Sequence, residues 1–147
     1  MKKIIIALVL FAAAGALAFV LKDYIDRTNP DYAIPQISVT ADSSEVATVV
    51  SGYSWQFAFG EPVVHEETPV TELSVVTTEL LGGENLGIVF SQPTKSYTVR
   101  RSESFSYDFS PTEDMEVPFE SGGYLYEVVA TFESGTVQYY FYIVVAE

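Results

Sequence analysis

The chain has 147 residues, no cysteine, 20 acidic side chains against seven basic ones, and a formal net charge of −13. Without cysteine it has no thiol catalysis, no thiolate metal site and no lipid attached through an N-terminal cysteine. The negative balance argues against nucleic acid and against simple attraction to anionic head groups, and it is compatible with ordinary solubility or a cationic partner.

Residues 4 to 21 read IIIALVLFAAAGALAFVL, eighteen apolar residues, with Lys2 and Lys3 before them and Lys22 after. As a helix this run is about 27 Å long, near the hydrocarbon thickness of a bilayer. Two readings compete. A basic start, a short apolar stretch and small residues at Ala14-Gly15-Ala16 or Ala16-Leu17-Ala18 suit a cleaved signal peptide. Phe19-Val20-Leu21 carries the apolar character on to full bilayer depth, which favours an uncleaved anchor. Orientation follows from charge: Lys2 and Lys3 stay inside, whereas from Asp23 onward 20 acidic residues face Arg27, Lys95, Arg100 and Arg101, a net of −16. The expected topology is single-pass, N-in and C-out, with secretion as the outcome of cleavage. The expected organisation is a membrane or signal helix over 1–22, a stalk over 23–35 and one extracytoplasmic β domain over 36–147.

The stretch Lys22 to Pro35 carries charges, Asn29-Pro30 and Pro35, and reads as extended, with a reach of roughly 45 Å for fourteen residues. From Ile37 the pattern is β. Ile37 to Thr40 alternates and Ala41 to Ser44 is a turn. Glu45 to Val50 and Tyr53 to Phe59 are two strands joined by Ser51-Gly52. Thr71 to Leu80 is rich in β-branched residues; Leu86 to Phe90, Ser96 to Arg101, Ser104 to Phe109 and Met115 to Phe119 follow. The last pair is clearest. Tyr124, Tyr126, Val128, Ala130 and Phe132 share one face, as do Val137, Tyr139, Phe141, Ile143 and Val145, and Glu133-Ser134-Gly135 links the two strands with a glycine suited to positive φ. Seven to nine short strands with no helical period after residue 21 predict an all-β fold, a single antiparallel sandwich.

Gly52-Tyr53-Ser54-Trp55, then Leu86-Gly87-Ile88-Val89-Phe90 before a proline turn and Tyr97-Thr98-Val99, then Gly123-Tyr124-Leu125-Tyr126 and the closing Tyr140-Phe141-Tyr142-Ile143-Val144-Val145 form a set. In this pattern the chain resembles a group of short exported or membrane-tethered Ig-like β-sandwich proteins of unassigned function from Gram-positive bacteria. The resemblance spans Ile34 to Val145 and implies an Ig-like extracytoplasmic domain, with no reaction attached. Some members carry cysteines at the positions of Ser54 and near Val64; their absence here removes any disulfide between those strands.

The candidates for chemistry are sparse. His65 is the single histidine, and Pro69 stands four residues on, so the zinc pattern His-Glu-x-x-His fails. Ser54 lacks the second glycine of a nucleophile elbow and belongs to a strand. Asp108, Glu113, Asp114 and Glu116 cluster at a proline-containing loop without a calcium-loop spacing and read as a solvated acidic loop. Arg100 and Arg101 point to opposite faces of a strand and suit local pairing with Glu103 or another acidic side chain. No cofactor, metal ligand set or catalytic group is expected.

The tyrosines are more informative. With Tyr139 and Phe141 in the core, Tyr140 and Tyr142 take the opposite face and are expected to be at least partly exposed, either packing across strands or offering a rigid contact surface. Tyr140, Tyr142 and Leu125 are therefore the candidate partner-binding residues of a non-enzymatic envelope module. The partner would be an envelope protein or wall glycan. The enzymatic alternative, an envelope hydrolase, would have to use Ser54 and His65.

Overall fold

A computed structural model of the chain describes residues 2–103 and 106–146. The first element, α1, runs Lys2–Thr28. Leucine, alanine and isoleucine dominate it, and the first proline is Pro30. By length and composition it is long and apolar enough to cross a membrane or to act as a signal sequence, and none of its most apolar stretch is buried against protein. The expectation of an extended segment from Lys22 is corrected here. The helix continues for two further turns, supported by the Lys22–Asp26 pair one turn apart. It ends where Pro30 forces Asn29 out of helical geometry, at φ −133° and ψ 62°. A single turn, α2 Pro30–Ala33, leads into the β region.

Ten strands are present among the described residues: β1 Ile37–Ala41, β2 Ser44–Val46, β3 Thr48–Trp55, β4 Val63–His65, β5 Thr77–Leu80, β6 Leu86–Phe90, β7 Ser96–Glu103, β8 Ser110–Pro111, β9 Gly122–Thr131 and β10 Gly135–Val145. A small sheet has the order β2-β1-β6. A large one has the order β4-β3-β10-β9-β7-β8, with β5 added beside β10. All pairs are antiparallel except β5 with β10, which is parallel.

The period-two pattern of β9 and β10 holds: Tyr124, Tyr126, Val128, Ala130 and Phe132 join Val137, Tyr139, Phe141, Ile143 and Val145 in one core. Ile37, Val39, Ala41, Val46 and Leu86 of the small sheet belong to the same cluster. Within it, Tyr126 and Phe141 are directly paired and stack at 4.6 Å, a contact worth about 1 kcal/mol beyond area burial. Trp55 packs edge-on against Phe132. The Tyr139 hydroxyl donates to the Pro35 carbonyl at 2.7 Å, tying the large sheet to the start of β1.

Four expected features differ. Ser51-Gly52 is not a turn; it lies inside β3 as a bulge, where Gly52 faces Gln138 and Val50 faces Tyr139, leaving Ser51 as the extra residue. The strand expected over 71–80 is confined to β5, and Val70–Glu72 forms a 3-10 turn. Met115 to Phe119 contributes only an isolated bridge between Glu116 and Asn85. Of the strand expected over 104–109, Ser104 and Phe105 lie outside the described residues and the remainder is irregular. In the last hairpin Gly135 has the positive φ expected of it, 158°, and it also permits a close approach, since a Cβ there would clash with the Ser54 carbonyl oxygen.

Candidate functional site

The large sheet has a second face. Alternation along β9 and β10 puts Leu125, Glu127, Gln138, Tyr140 and Tyr142 there. Register then brings three of its residues into one row: Arg100 of β7 faces Glu127 of β9, and Glu127 faces Tyr140 of β10. Glu127 is 1% exposed, so its charge must be met by protein. Arg100 Nε donates to Glu127 Oε2. Gln138 Nε2 at 2.8 Å and the Tyr140 hydroxyl at 2.9 Å both donate to Oε1.

A second carboxylate reaches the same group from outside. Gln138 directs its other amide hydrogen to Glu67 Oε1 at 3.0 Å, and the Tyr140 hydroxyl lies 3.1 Å from that oxygen. Glu67 is delivered by the bulge in β3. Ser51, the extra residue, has a carbonyl free of the ladder that accepts from the Thr68 N–H at 2.9 Å. Gly52 beside it makes room: a Cβ at that position would stand 2.9 Å from Glu67 Cα.

Opposing effects act on the Glu127 carboxyl. Burial pushes its pKa up, but hydrogen bonds from Arg100 and Tyr140 more than offset this and hold it below the usual carboxylate value. Tyr140 moves well above the ordinary phenol value, chiefly through burial and then through its bond to Glu127. The Glu127 hydrogen bond raises Arg100. An ionised, triply bonded carboxylate under cover is poorly arranged to exchange protons with a substrate near neutral pH. It is well arranged to lock the relative positions of β7, β9, β10 and the 66–69 segment.

Beside this row the face becomes apolar. Leu125 and Tyr142 are directly paired and, with Tyr140, form a small second core against Val49, Val70, Leu73, Val75 and Phe109. An open groove of about 250 Å³ remains above it, with Leu125 and Tyr142 in its floor and Val70, Leu73, Val75 and Tyr107 among its walls. Tyr142 lies flat enough over β9 that a Cβ on Gly123 would come within 2.0 Å of its hydroxyl.

The expected exposure of the candidate residues is thus corrected. Tyr140 is 3% exposed, Tyr142 8% and Leu125 4%. The reason is the 66–76 segment, which crosses this face and covers it. Leu125 and Tyr142 keep a place in the groove; Tyr140 belongs to the polar row. Ser54 and His65 both border one shallow pocket of about 190 Å³, but their side chains leave the ladder on opposite faces. His65 faces Tyr53 across the β3–β4 ladder and stacks on its ring at 5.4 Å, whereas Ser54, the next residue of β3, points to the opposite face. Arg101 pairs with Glu103 at 3.5 Å, on the other side of β7 from Arg100. In the acidic loop, Asp114 Oδ1 accepts from the Glu116 N–H, and among the described residues no three His, Cys, Asp or Glu side chains converge as a metal site.

Sequence reasoning missed Glu127, Gln138 and Glu67. The usable signal was a carboxylate in mid-strand between Tyr126 and Val128, where an unpaired charge is not tolerated, together with two arginines on a neighbouring strand. Compared with protein-family models, with curated proteins and with solved structures, the chain matches none.

Proposed function

We propose that this protein is a non-enzymatic, single-pass envelope module: α1 remains as an anchor with Lys2 and Lys3 in the cytoplasm, and an Ig-like sandwich outside binds a neighbouring envelope protein. The observation that carries the binding reading is the groove over Leu125 and Tyr142. Its floor is rigid, being built from adjacent central strands and braced by the Glu127 row. Val70, Leu73 and Val75 supply the apolar part of its walls, beside Thr71, Thr77 and Tyr107. Such a groove suits one or two apolar side chains of a partner. Anchoring confines the module to a thin layer and raises its effective concentration for partners in the same membrane.

The finer fold reading draws support from two sheets that share one core. The resemblance to Gram-positive envelope proteins rests on the sequence pattern from Ile34 to Val145. The hydrolase alternative gains nothing from Ser54 and His65 on opposite faces.

The test is site-specific photocross-linking of the full chain in native membranes. A photoreactive residue at Thr71 on the groove wall is expected to yield one defined protein adduct, and the same group at the exposed Val64 is expected to yield none. Adducts to wall glycan alone would replace the protein partner with a glycan one. Identical labelling from both positions would remove the groove as a binding site.

A further inference from the structure

The end of α1 does not hang free of the β domain. Phe19, Asp23 and Arg27 lie one turn apart on one helix face and all three meet the loop after β3. The Phe19 and Phe59 rings pack edge to face at 5.6 Å. Asp23, itself buried, accepts from the Phe59 N–H at 3.3 Å. Arg27 donates to the carbonyls of Phe59 and of Glu61, the latter at 2.8 Å. From the loop's own side, Gln56 Nε2 donates to the carbonyls of Phe57 at 2.7 Å and Gly60 at 3.0 Å. A solvent-facing loop has water to satisfy such groups; here side chains do so, for one amide and four carbonyls within five residues. Internal satisfaction of backbone polar groups is what a low-water setting requires.

Depth points the same way. Phe19 lies within the apolar run, three residues or about 4.5 Å below Lys22 along the helix axis. A ring in contact with it sits at the level of the bilayer interface if the run spans the membrane. Phe59 nonetheless keeps 48% of its surface uncovered by protein. We propose that the 57–61 loop is a membrane-contacting element, with Phe59 seated on Phe19 in the interfacial layer, where aromatic rings are favoured. The domain is then held at a fixed orientation on the bilayer, standing on this loop. This rests on the anchored reading above.

Because the chain has no cysteine, single labels can be placed cleanly. The full chain is reconstituted in phosphatidylcholine–phosphatidylglycerol vesicles with a nitroxide at Phe59→Cys. Reference labels stand at Phe11→Cys in mid-helix and at Phe119→Cys, just ahead of β9 and about 33 Å away along its ten residues. The ratio of collisions with oxygen to those with a water-soluble nickel chelate is expected to be several-fold higher at 59 than at 119, and lower than at 11. A ratio at 59 equal to that at 119, with 11 in lipid, overturns the loop contact and leaves the anchor standing. An aqueous value at 11 overturns the anchor and the contact together. Ala58→Cys, also exposed, repeats the measurement without removing the aromatic ring.

Discussion

The Tyr140 hydroxyl donates to Glu127 at 2.9 Å from the directly opposed position of the next strand, on a sheet face covered by the 66–76 segment. That bond joins an aromatic ring, one of the three buried residues of the small outer core, to a buried carboxylate, the centre of the polar row. The outer face is therefore a single construction, apolar at one end and ionic in the middle, and each part can be tested through its effect on stability.

Replacing the carboxylate tests the ionic part. In Glu127→Gln the side chain keeps its shape but loses the charge that three donors address, at a cost of about 2 kcal/mol at neutral pH; the half-exposed Arg100 rehydrates and limits the loss. The sign of the pH dependence follows from the folded carboxyl lying below its unfolded value. Its stabilising contribution is complete above the ordinary glutamate range near ~4.3 and disappears as pH falls through the folded value. Thermal unfolding of the full chain in micelles should show a gap between wild type and Glu127→Gln that is widest near neutrality and closes on acidification. A gap of constant size from neutral to strongly acidic pH would contradict an ionised Glu127.

Tyr140 separates covered from exposed. Tyr140→Phe removes one hydrogen bond while Arg100 and Gln138 still serve Glu127, so it should cost about 1 kcal/mol. Tyr140→Ala also empties space between Phe109 and Val49 and should cost about 3–5 kcal/mol. A tyrosine on an open contact surface would tolerate both changes within about 0.5 kcal/mol. Denaturant unfolding of the two variants decides between these outcomes.

What the sequence made legible was what alternation along a single strand can carry. The inner faces of β9 and β10, and Leu86–Phe90 as a strand, needed no knowledge of neighbours. The covering segment did. Residues 71–80 have strand composition throughout, yet only Thr77–Leu80 pairs, because β3 occupies the edge of β10 up to Phe141 and leaves only Tyr142 to Val145 free. Residues before Thr77 have no ladder to join, so Val70, Leu73 and Val75 turn onto the outer face and bury the tyrosines that alternation alone would leave exposed. Ser51-Gly52 misled for a related reason. Glycine in a β pattern marks a turn or a close approach with equal ease, and only the position of Glu67 tells which. The helix past Lys22 was obscured by its charges, of which Lys22 and Asp26 pair one turn apart while Asp23 and Arg27 face the loop after β3.

Two glycines test that close approach. Gly52→Ala would put a methyl 2.9 Å from Glu67 Cα, a backbone atom that cannot swing aside, so the 66–69 segment must lift from the bulge. The expected cost is about 1–3 kcal/mol. Gly87→Ala meets only the Thr40 hydroxyl at 3.0 Å, which can rotate away, and the gain from a less flexible unfolded chain, about 0.4–1 kcal/mol, should leave it neutral or slightly stabilised. A local readout distinguishes lifting from general weakening. The Thr68 amide donates to the Ser51 carbonyl at 2.9 Å, so its hydrogen exchange should quicken in Gly52→Ala more than that of the β9 and β10 amides. Equal acceleration everywhere would mean that the substitution acts on the whole domain, and that Gly52 is not what admits Glu67 to the polar row.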